Sequence, residues 1–263
     1  REVPSPLRPH SPAAQPAPTA HSRGRLAWST LGELFSNKPF TRLLSGWFVN
    51  GLANGLPAAL FPLYLQHALG ADQVVSGVLI MAYFVAGIVA IPGWLALSRR
   101  HGKHRVWCWA MILACVAFVW VPFLQPGQIE IFFIICVLTG TALGADLALP
   151  PAMQADVIDF DRLRTGHDRA GLFFALWSMS TKLALALGVG IAFPALAALG
   201  FVAGAENDPA ALMWLAVIYA GAPTVLKLCA ITIIWNHPMS ARRHGIIRRR
   251  LDARDRQAQP GIR

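Results

Sequence analysis

Charged residues are scarce in this chain of 263 residues: Asp, Glu, Lys and Arg make up 14% of it, and hydrophobic residues make up 55%. A soluble globular domain carries about 25% charged residues, so the composition excludes an ordinary soluble domain. Acidic residues are especially few, with 13 Asp and Glu against 23 Lys and Arg. This deficit indicates long uncharged stretches of the kind that cross a membrane.

Cysteine is also rare, and its positions exclude a disulfide or metal framework. All four cysteines lie inside apolar stretches (Cys108, Cys115, Cys136 and Cys229), where they are interpreted as small packing residues. The histidines cluster in basic loops without the spacing of metal ligands. No Ser/His/Asp or Cys/His arrangement is apparent. The sequence therefore predicts no catalytic residue, no metal site, no cofactor and no enzymatic activity.

Six apolar runs are each long enough to cross a hydrocarbon core of about 30 Å as a helix. Backbone groups in lipid have no water to bond, so the runs should be helical. The sequence therefore predicts an all-α membrane protein with six transmembrane helices. The predicted spans are about 44–65, 75–97, 106–124, 129–153, 172–199 and 211–235.

The positive charge alternates between the two sides of these spans. Of the 23 Lys and Arg residues, 21 precede span one, follow span six, or lie in the loops after spans two and four. The other loops carry only acidic residues among their charges (Asp72, Glu130, Glu206 and Asp208). This positive-inside pattern predicts cytoplasmic termini and a plasma or inner membrane location. It also favours anionic lipid headgroups over nucleic acid as the partner of the basic tail.

The composition divides the chain into four parts. Residues 1–29 are rich in Pro, Ala and Ser and are predicted to be a disordered cytoplasmic linker. Residues 30–42 carry Leu31, Leu34 and Phe35 at helical spacing and are predicted to be an amphipathic surface helix. Residues 43–236 form the transmembrane unit, and residues 237–263 form a basic cytoplasmic tail. A flexible linker leading into six spans is typical of the middle of a longer protein.

Three motifs carry a family resemblance. "NKPF" (Asn37–Phe40) precedes the first span, and "LSRRHGKHR" (Leu97–Arg105) joins spans two and three. A longer stretch, Ala148–Lys182, combines an Asp-x-x-Asp-aromatic loop, Thr-Gly, Arg-x-Gly and a helix with a lysine. Its matching residues are Asp156, Asp159, Phe160, Thr165, Gly166, Arg169, Gly171 and Lys182. The chain resembles the glycoside–pentoside–hexuronide:cation symporters, the melibiose-permease-like branch of the major facilitator transporters, from Thr30 to Trp235.

The resemblance implies a fold and a partner. A transporter of this kind has twelve helices in two six-helix halves, binds substrate between them and exposes it to each side in turn. The chain would be the C-terminal half. Its partner would be the N-terminal half of the same protein, which in this branch supplies most of the site for the coupling Na⁺ or H⁺.

Charges in the loops after spans two and four are expected to form a cytoplasmic gate that is locked in one state and open in the other. The alternative is a solvated loop that fixes topology, which is favoured for Asp161, Arg162, Arg164 and Asp168. An Asp-x-x-Asp magnesium site of a polyprenyl-transferring enzyme is disfavoured, because no second acidic motif is present. The predicted gate consists of Asp156, Asp159, Arg169, Arg99, Arg100, Lys103 and Arg105.

Lys182 lies about 15 Å into span five, and a charge at that depth is a functional hypothesis by default. The resemblance places a cavity-facing lysine here, expected to pair with a carboxylate of the missing half or to bind a polar substrate. Trp177, Ser178 and Thr181 are expected to share its face. Trp177 could stack on a sugar ring or pack in the core.

Asp146 is the second intramembrane charge and has no counterpart in the family pattern. It could be a proton-binding carboxylate, the counter-ion of Lys182, or a hydrogen-bonded structural acid. Asn50 and Asn54 lie one turn apart in span one and could line the cavity or join helices. Lys227 in the last span is assigned no role, because snorkelling would explain it.

The sequence thus predicts a secondary active transporter, with cation-coupled symport of a sugar or related small solute as its activity. The first alternative is a carrier of the same fold for lipids, lysolipids or other amphiphiles. The second is a membrane interaction module without transport.

Overall fold

The computed structural model describes residues 32–238 together with residues 245 and 249, and these residues contain helices and no strand. Residues 1–36 and 37–263 form two units. The described part of the first unit is a single helical turn, residues 32–35, closed by Ser36 Oγ donating to the Gly32 carbonyl at 2.9 Å.

The described part of the second unit contains six helices that are long and apolar enough to span a membrane. They are α1 (Lys38–Ala68), α2 (Gln73–His101), α3 (Lys103–Phe123), α4 (Ile129–Thr165), α5 (Ala170–Ala198) and α6 (Pro209–Ile234). The all-α fold with six transmembrane helices is therefore confirmed. α1 ends in a π-helical turn, Tyr64–Ala68, and α6 contains another, Val217–Gly221.

Local sequence explains where several helices begin and end. Asn37 accepts a hydrogen bond from the backbone of Phe40 at 3.3 Å and caps α1, with Pro39 in the first turn. Asp72 caps α2 in the same way, at 2.7 Å from the backbone nitrogen of Val75. Gly166 ends α4 with φ of 74°, a left-handed conformation that favours glycine.

Helices α2 and α4 pack backbone to backbone through glycine. A Cβ placed on Gly140 would collide with the carbonyl of Tyr83, and one on Gly144 would collide with the carbonyl of Gly87. Only glycine permits this approach, and the small-xxx-small pattern at Gly140 and Gly144 therefore marks a true helix contact.

Helices α1 and α5 form a second close pair. A Cβ on Gly188 would lie 3.1 Å from the carbonyl carbon of Gly55, and one on Gly51 would lie 3.1 Å from Cβ of Ala184. Helix α1 also packs on α6, while α3 lies between α4 and α6. Polar residues of α1, α3, α4 and α6 can therefore meet in the middle of the unit.

The structure corrects two boundaries. Helix α4 continues to Thr165, twelve residues beyond the predicted end of its span, so the Asp-x-x-Asp motif is helical and not a loop. The predicted surface helix of residues 30–42 is divided, because the chain leaves helical geometry at Ser36 and Asn37 and a new helix starts at Lys38. The predicted linker and most of the basic tail lie outside the described residues.

Candidate functional site

A network of five polar residues lies at the centre of the unit, and we call it the central network. It joins four helices: Asn50 and Asn54 on α1, Trp107 on α3, Asp146 on α4 and Lys227 on α6. All five residues lie within predicted or observed spans, where unpaired polar groups are costly.

Three N–H donors surround the Asp146 carboxylate. Trp107 Nε1 donates to Oδ1 at 2.6 Å, while Asn50 and Asn54 donate to Oδ2 at 3.1 and 2.9 Å. Hydrogen bonds to an ionised acceptor are stronger than neutral ones. The carboxylate is only 8% exposed, and all three of these donors are neutral groups.

Lys227 contacts the same two asparagines. Its Nζ donates to Oδ1 of Asn50 at 2.9 Å and to Oδ1 of Asn54 at 2.8 Å, and it lies 4.0 Å from Asp146 Oδ2. Each asparagine therefore donates to the carboxylate and accepts from the ammonium. The charges of Asp146 and Lys227 are equal and opposite, and the hydrogen bonds that connect the two side chains pass through the two neutral amides.

A pocket of about 230 Å³ opens beside the central network. Asn54, Asp146 and Lys227 form its polar end. The walls are largely apolar, and their aromatic members are Phe61, Tyr83, Phe84, Phe118, Phe132 and Tyr219. A compartment with one polar end and aromatic walls suits a ligand that has a polar group on an apolar or ring-shaped body.

The counter-ion of Asp146 within this unit is Lys227, so a pairing with Lys182 is wrong here. Lys182 and Ser178 are exposed on α5. Trp177 is buried and stacks on Trp47, with ring centroids 4.6 Å apart and planes 16° apart. Trp177 and Lys182 therefore do not share one exposed face.

Thr181 also turns toward α1. Its Oγ1 accepts a hydrogen bond from Trp47 Nε1 at 2.8 Å and donates to the Trp177 carbonyl at 3.0 Å. These contacts make Thr181 and Trp177 part of the α1–α5 contact, and they leave Lys182 available on the open side of α5.

One predicted cytoplasmic pair is present as a close ion pair. Lys103 Nζ lies 2.7 Å from both carboxylate oxygens of Asp156 and also donates to the Ala152 carbonyl at 3.1 Å. This contact ties the start of α3 to α4. Among the other predicted gate cations, Arg99, Arg100 and Arg105 are exposed.

Asp161 corrects the expectation that it is solvated. Its side chain is 1% exposed and lies 3.2 Å from Arg169 Nη2 and 3.7 Å from Arg164 Nη2. Asn37 Nδ2 also donates to it, at 3.3 Å. Asp161 is therefore the buried anion to which the start of α1 and the connection before α5 attach, while Asp159 is only partly buried. Arg162, Arg164 and Asp168 are exposed, as expected.

The two ends of the helical unit meet near the same side. Arg42 donates from Nε to the Ile233 carbonyl and from Nη1 to the Asn236 carbonyl, at 2.8 Å for the second bond. His237 donates from Nε2 to the Pro39 carbonyl at 3.1 Å. The pKa of His237 is lowered to about 4, mainly by burial and to a smaller extent by nearby His104 and Arg42, while the hydrogen bond to Pro39 acts in the opposite direction.

Sequence reasoning missed Lys227, Trp107 and Trp47. Lys227 carried a usable signal, because an ionisable residue inside a span is functional by default and Asp146 needed a partner. The two tryptophans gave no signal in the sequence, since an aromatic residue in a span is usually a packing residue.

Three of the four cysteines are buried, and Cys229 is exposed. In the described part of the chain, no group of three His, Cys, Asp or Glu side chains is placed to hold a metal ion.

Comparison with known proteins agrees with this architecture. An uncharacterized symporter of Synechocystis is 26% identical over 84% of this chain and 42% of that protein. The human sodium-dependent lysophosphatidylcholine symporter 1 is 26% identical over 95% of this chain and 45% of that protein. The glucuronide carrier protein homolog of Escherichia coli is 23% identical over 88% of this chain and 50% of that protein.

The chain thus spans about half the length of these curated relatives, two of which are symporters by name and one a carrier protein homolog. The sequence profile of one family matches residues 8–241, nearly the whole chain. The chain belongs to that family, the MFS/sugar transport proteins.

Proposed function

We propose that this chain is the C-terminal six-helix half of a secondary active transporter that moves a sugar or related small solute by cation-coupled symport. The observation that carries the proposal is the central network, a balanced pair of buried charges that lines a pocket inside an apolar helical unit. A buried ion pair is weak evidence for stability, and intramembrane charges in transporters mark substrate and ion pathways.

The cytoplasmic contacts support an alternating-access cycle. The Lys103–Asp156 and Arg169–Asp161 pairs join α3, α4 and the connection to α5 at one end of the bundle. Such contacts can hold this end closed in one state and part in the other. We propose the same gating role for Asp159, Arg99, Arg100 and Arg105, whose exposed or partly exposed positions suit contacts with another part of the complete carrier.

The partner in this proposal is an N-terminal six-helix half of the same protein. Lys182 and Ser178 on the open side of α5 are available to it or to substrate. The coupling Na⁺ or H⁺ would be bound mainly by that half. Both termini of this chain would be cytoplasmic, in a plasma or inner membrane, and no covalent chemistry would take place.

A lipid or lysolipid carrier of the same fold is the second candidate. The observation that favours it is the pocket wall, which is apolar and aromatic apart from one polar end. Two relatives carry lipids by name: the lysophosphatidylcholine symporter and the frog sphingosine-1-phosphate transporter, which is 20% identical over 77% of this chain. An amphiphile would place its headgroup at the polar end and its chain along the aromatic wall.

Uptake into proteoliposomes by the complete carrier tests the proposal. Radiolabelled glycosides, hexuronides and lysophospholipids are offered with an inward Na⁺ gradient, a proton gradient or no gradient. We expect one class to accumulate only with a gradient, and Asp146→Asn or Lys182→Ala to reduce gradient-driven accumulation. Lys38→Gln, an exposed lysine at the start of α1, is the matched control.

Accumulation of lysophospholipid and not of glycoside would select the second candidate. Absence of gradient-driven uptake of every solute, with correctly inserted protein, would leave the non-transport membrane module as the correct interpretation.

A further inference from the structure

The two charges of the central network have unequal environments. The Asp146 carboxylate accepts three hydrogen bonds, all of them from neutral donors. Lys227 has two acceptors, both amide oxygens, and an ammonium group has three donors. Its anion lies 4.0 Å away, beyond hydrogen-bond distance. Among the described residues, Lys227 thus has one N–H donor without an acceptor and no direct hydrogen bond to a carboxylate, and it lies in the wall of the pocket.

Charge balance limits what can bind there. With both residues ionised, the pair is neutral, which low-dielectric surroundings require. An anionic group that bound Lys227 would make the site negative by one charge. A cation that joined Asp146 at the same time would restore neutrality, whereas either ion alone would leave a buried net charge.

We propose that the central network is an exchange site: an anionic group of the substrate replaces Asp146 as counter-ion of Lys227, and a cation taken up by Asp146 restores neutrality. The inference rests on the proposed transport function and narrows its substrate to molecules with a carboxylate or phosphate on an apolar or sugar body. Substrate binding and cation binding are then coupled inside this half, through one pair of residues.

The asparagines suit both states of such a site. A carboxamide donates through its NH₂ group and accepts through its oxygen. When the substrate anion engages Lys227, the Oδ1 atoms of Asn50 and Asn54 are freed. Rotation of either amide then presents that oxygen to a proton on Asp146 or to a bound Na⁺.

Other titratable groups near the pair do not supply the exchanged charge. Tyr83 on α2 is within electrostatic reach of Asp146 and of Cys136 on α4, and Cys115 on α3 is within reach of Lys227. Phenols and thiols are neutral near pH 7. Helix α1 contributes only the two asparagines to the pair, and in these packed elements the described charges at the pocket are those of Asp146 and Lys227.

The test uses matched probes that differ in one charged group, with the purified complete carrier in nanodiscs. Phenyl glucuronide is compared with phenyl glucoside, and lysophosphatidate with the monoacylglycerol of the same chain length. Binding is measured by calorimetry across a series of NaCl or choline chloride concentrations at fixed pH, and across pH at fixed Na⁺. The first probe pair reports a sugar acid, and the second reports a lipid phosphate.

For the wild type we expect at least one anionic probe to bind more tightly as Na⁺ or protons increase. Lys227→Gln should weaken that probe about 10- to 100-fold and leave its uncharged partner unchanged. Asp146→Asn should retain anion binding and abolish its dependence on the cation. The double variant carries no charge at the site and should bind only uncharged probes. Lys38→Gln should behave as the wild type.

Three results would overturn the inference: neither anionic probe binds the wild type, Lys227→Gln weakens both members of a pair equally, or Asp146→Asn preserves the cation dependence. If Lys227→Gln does not fold, the double variant decides alone, and retained anion binding refutes the exchange site. Gradient-driven uptake of a neutral solute that Asp146→Asn reduces and Lys227→Gln leaves unchanged would refute this inference while leaving the proposed function intact. Absence of any gradient-driven uptake would refute the proposed function itself.

Discussion

The glycine contact between α2 and α4 gives a prediction whose sign can be worked out. In Gly140→Ala, the new methyl group would meet the backbone carbonyl of Tyr83, which cannot move as a side-chain end can. Alanine gains about 0.5–1 kcal/mol of helix propensity over glycine. Forcing an extra group into a packed contact costs about 1–3 kcal/mol, and separating two helices at their closest point belongs at the upper end. We expect a net loss of about 2–2.5 kcal/mol.

The same substitution on an open face is the control. A methyl group added to Gly93 on α2 would have no neighbouring atom within 4 Å, so Gly93→Ala should gain the propensity term and unfold at a higher denaturant concentration. Unfolding in mixed micelles, followed by tryptophan fluorescence, measures both variants against the wild type. If Gly140→Ala proves as stable as Gly93→Ala, the backbone contact is not tight and the reasoning is refuted.

Three further predictions concern buried ionisable residues. Lys227→Met leaves the Asp146 carboxylate without its cation and should lower the free energy of unfolding by about 3–5 kcal/mol. The double variant with Asp146→Asn should regain more than half of this lost stability, and chemical unfolding measures both. Asp161→Asn removes the carboxylate that lies 3.2 Å from Arg169 and should cost about 3 kcal/mol, with spin-label distances showing a more open end of the bundle around Asp161; an unchanged distance distribution would contradict the proposed gate. The pKa of His237 is about 4 in the folded protein, so its side chain is neutral there above that pH. Below pH 6.5 the unfolded state binds more protons than the folded state, and the free energy of unfolding should therefore fall by up to about 3 kcal/mol between pH 6.5 and 4. His237→Gln should weaken this pH dependence, measured by thermal unfolding.

Length and hydropathy were enough to predict the six helices, because a membrane span must be both apolar and helical. The end of α4 was predicted poorly for the same reason. Residues after Met153 are charged, and a hydropathy criterion stops where charge begins. The helix continues through these charged residues and ends at Gly166, the first glycine after Met153, which takes a left-handed conformation.

The site was predicted only in part. Asp146, Asn50 and Asn54 were recognised as polar residues that need partners, and they do meet. The choice of cation required knowing which helices are neighbours, because Lys182 and Lys227 both lie in spans. Helix order around a bundle is set by packing such as the glycine contacts of α2 with α4, and a single sequence does not reveal it.

The order of the central network along the chain has a consequence for biosynthesis. Asn50, Asn54 and Trp107 all precede Asp146, whereas Lys227 follows it by about 80 residues, or roughly 4 to 16 seconds at 5–20 residues per second. A growing chain therefore inserts the carboxylate after its hydrogen-bond donors and well before its cation. The three donors can hydrogen-bond the Asp146 carboxylate in the membrane until α6 is inserted. A chain that lacks these donors should therefore insert poorly, even where the completed protein would tolerate their loss.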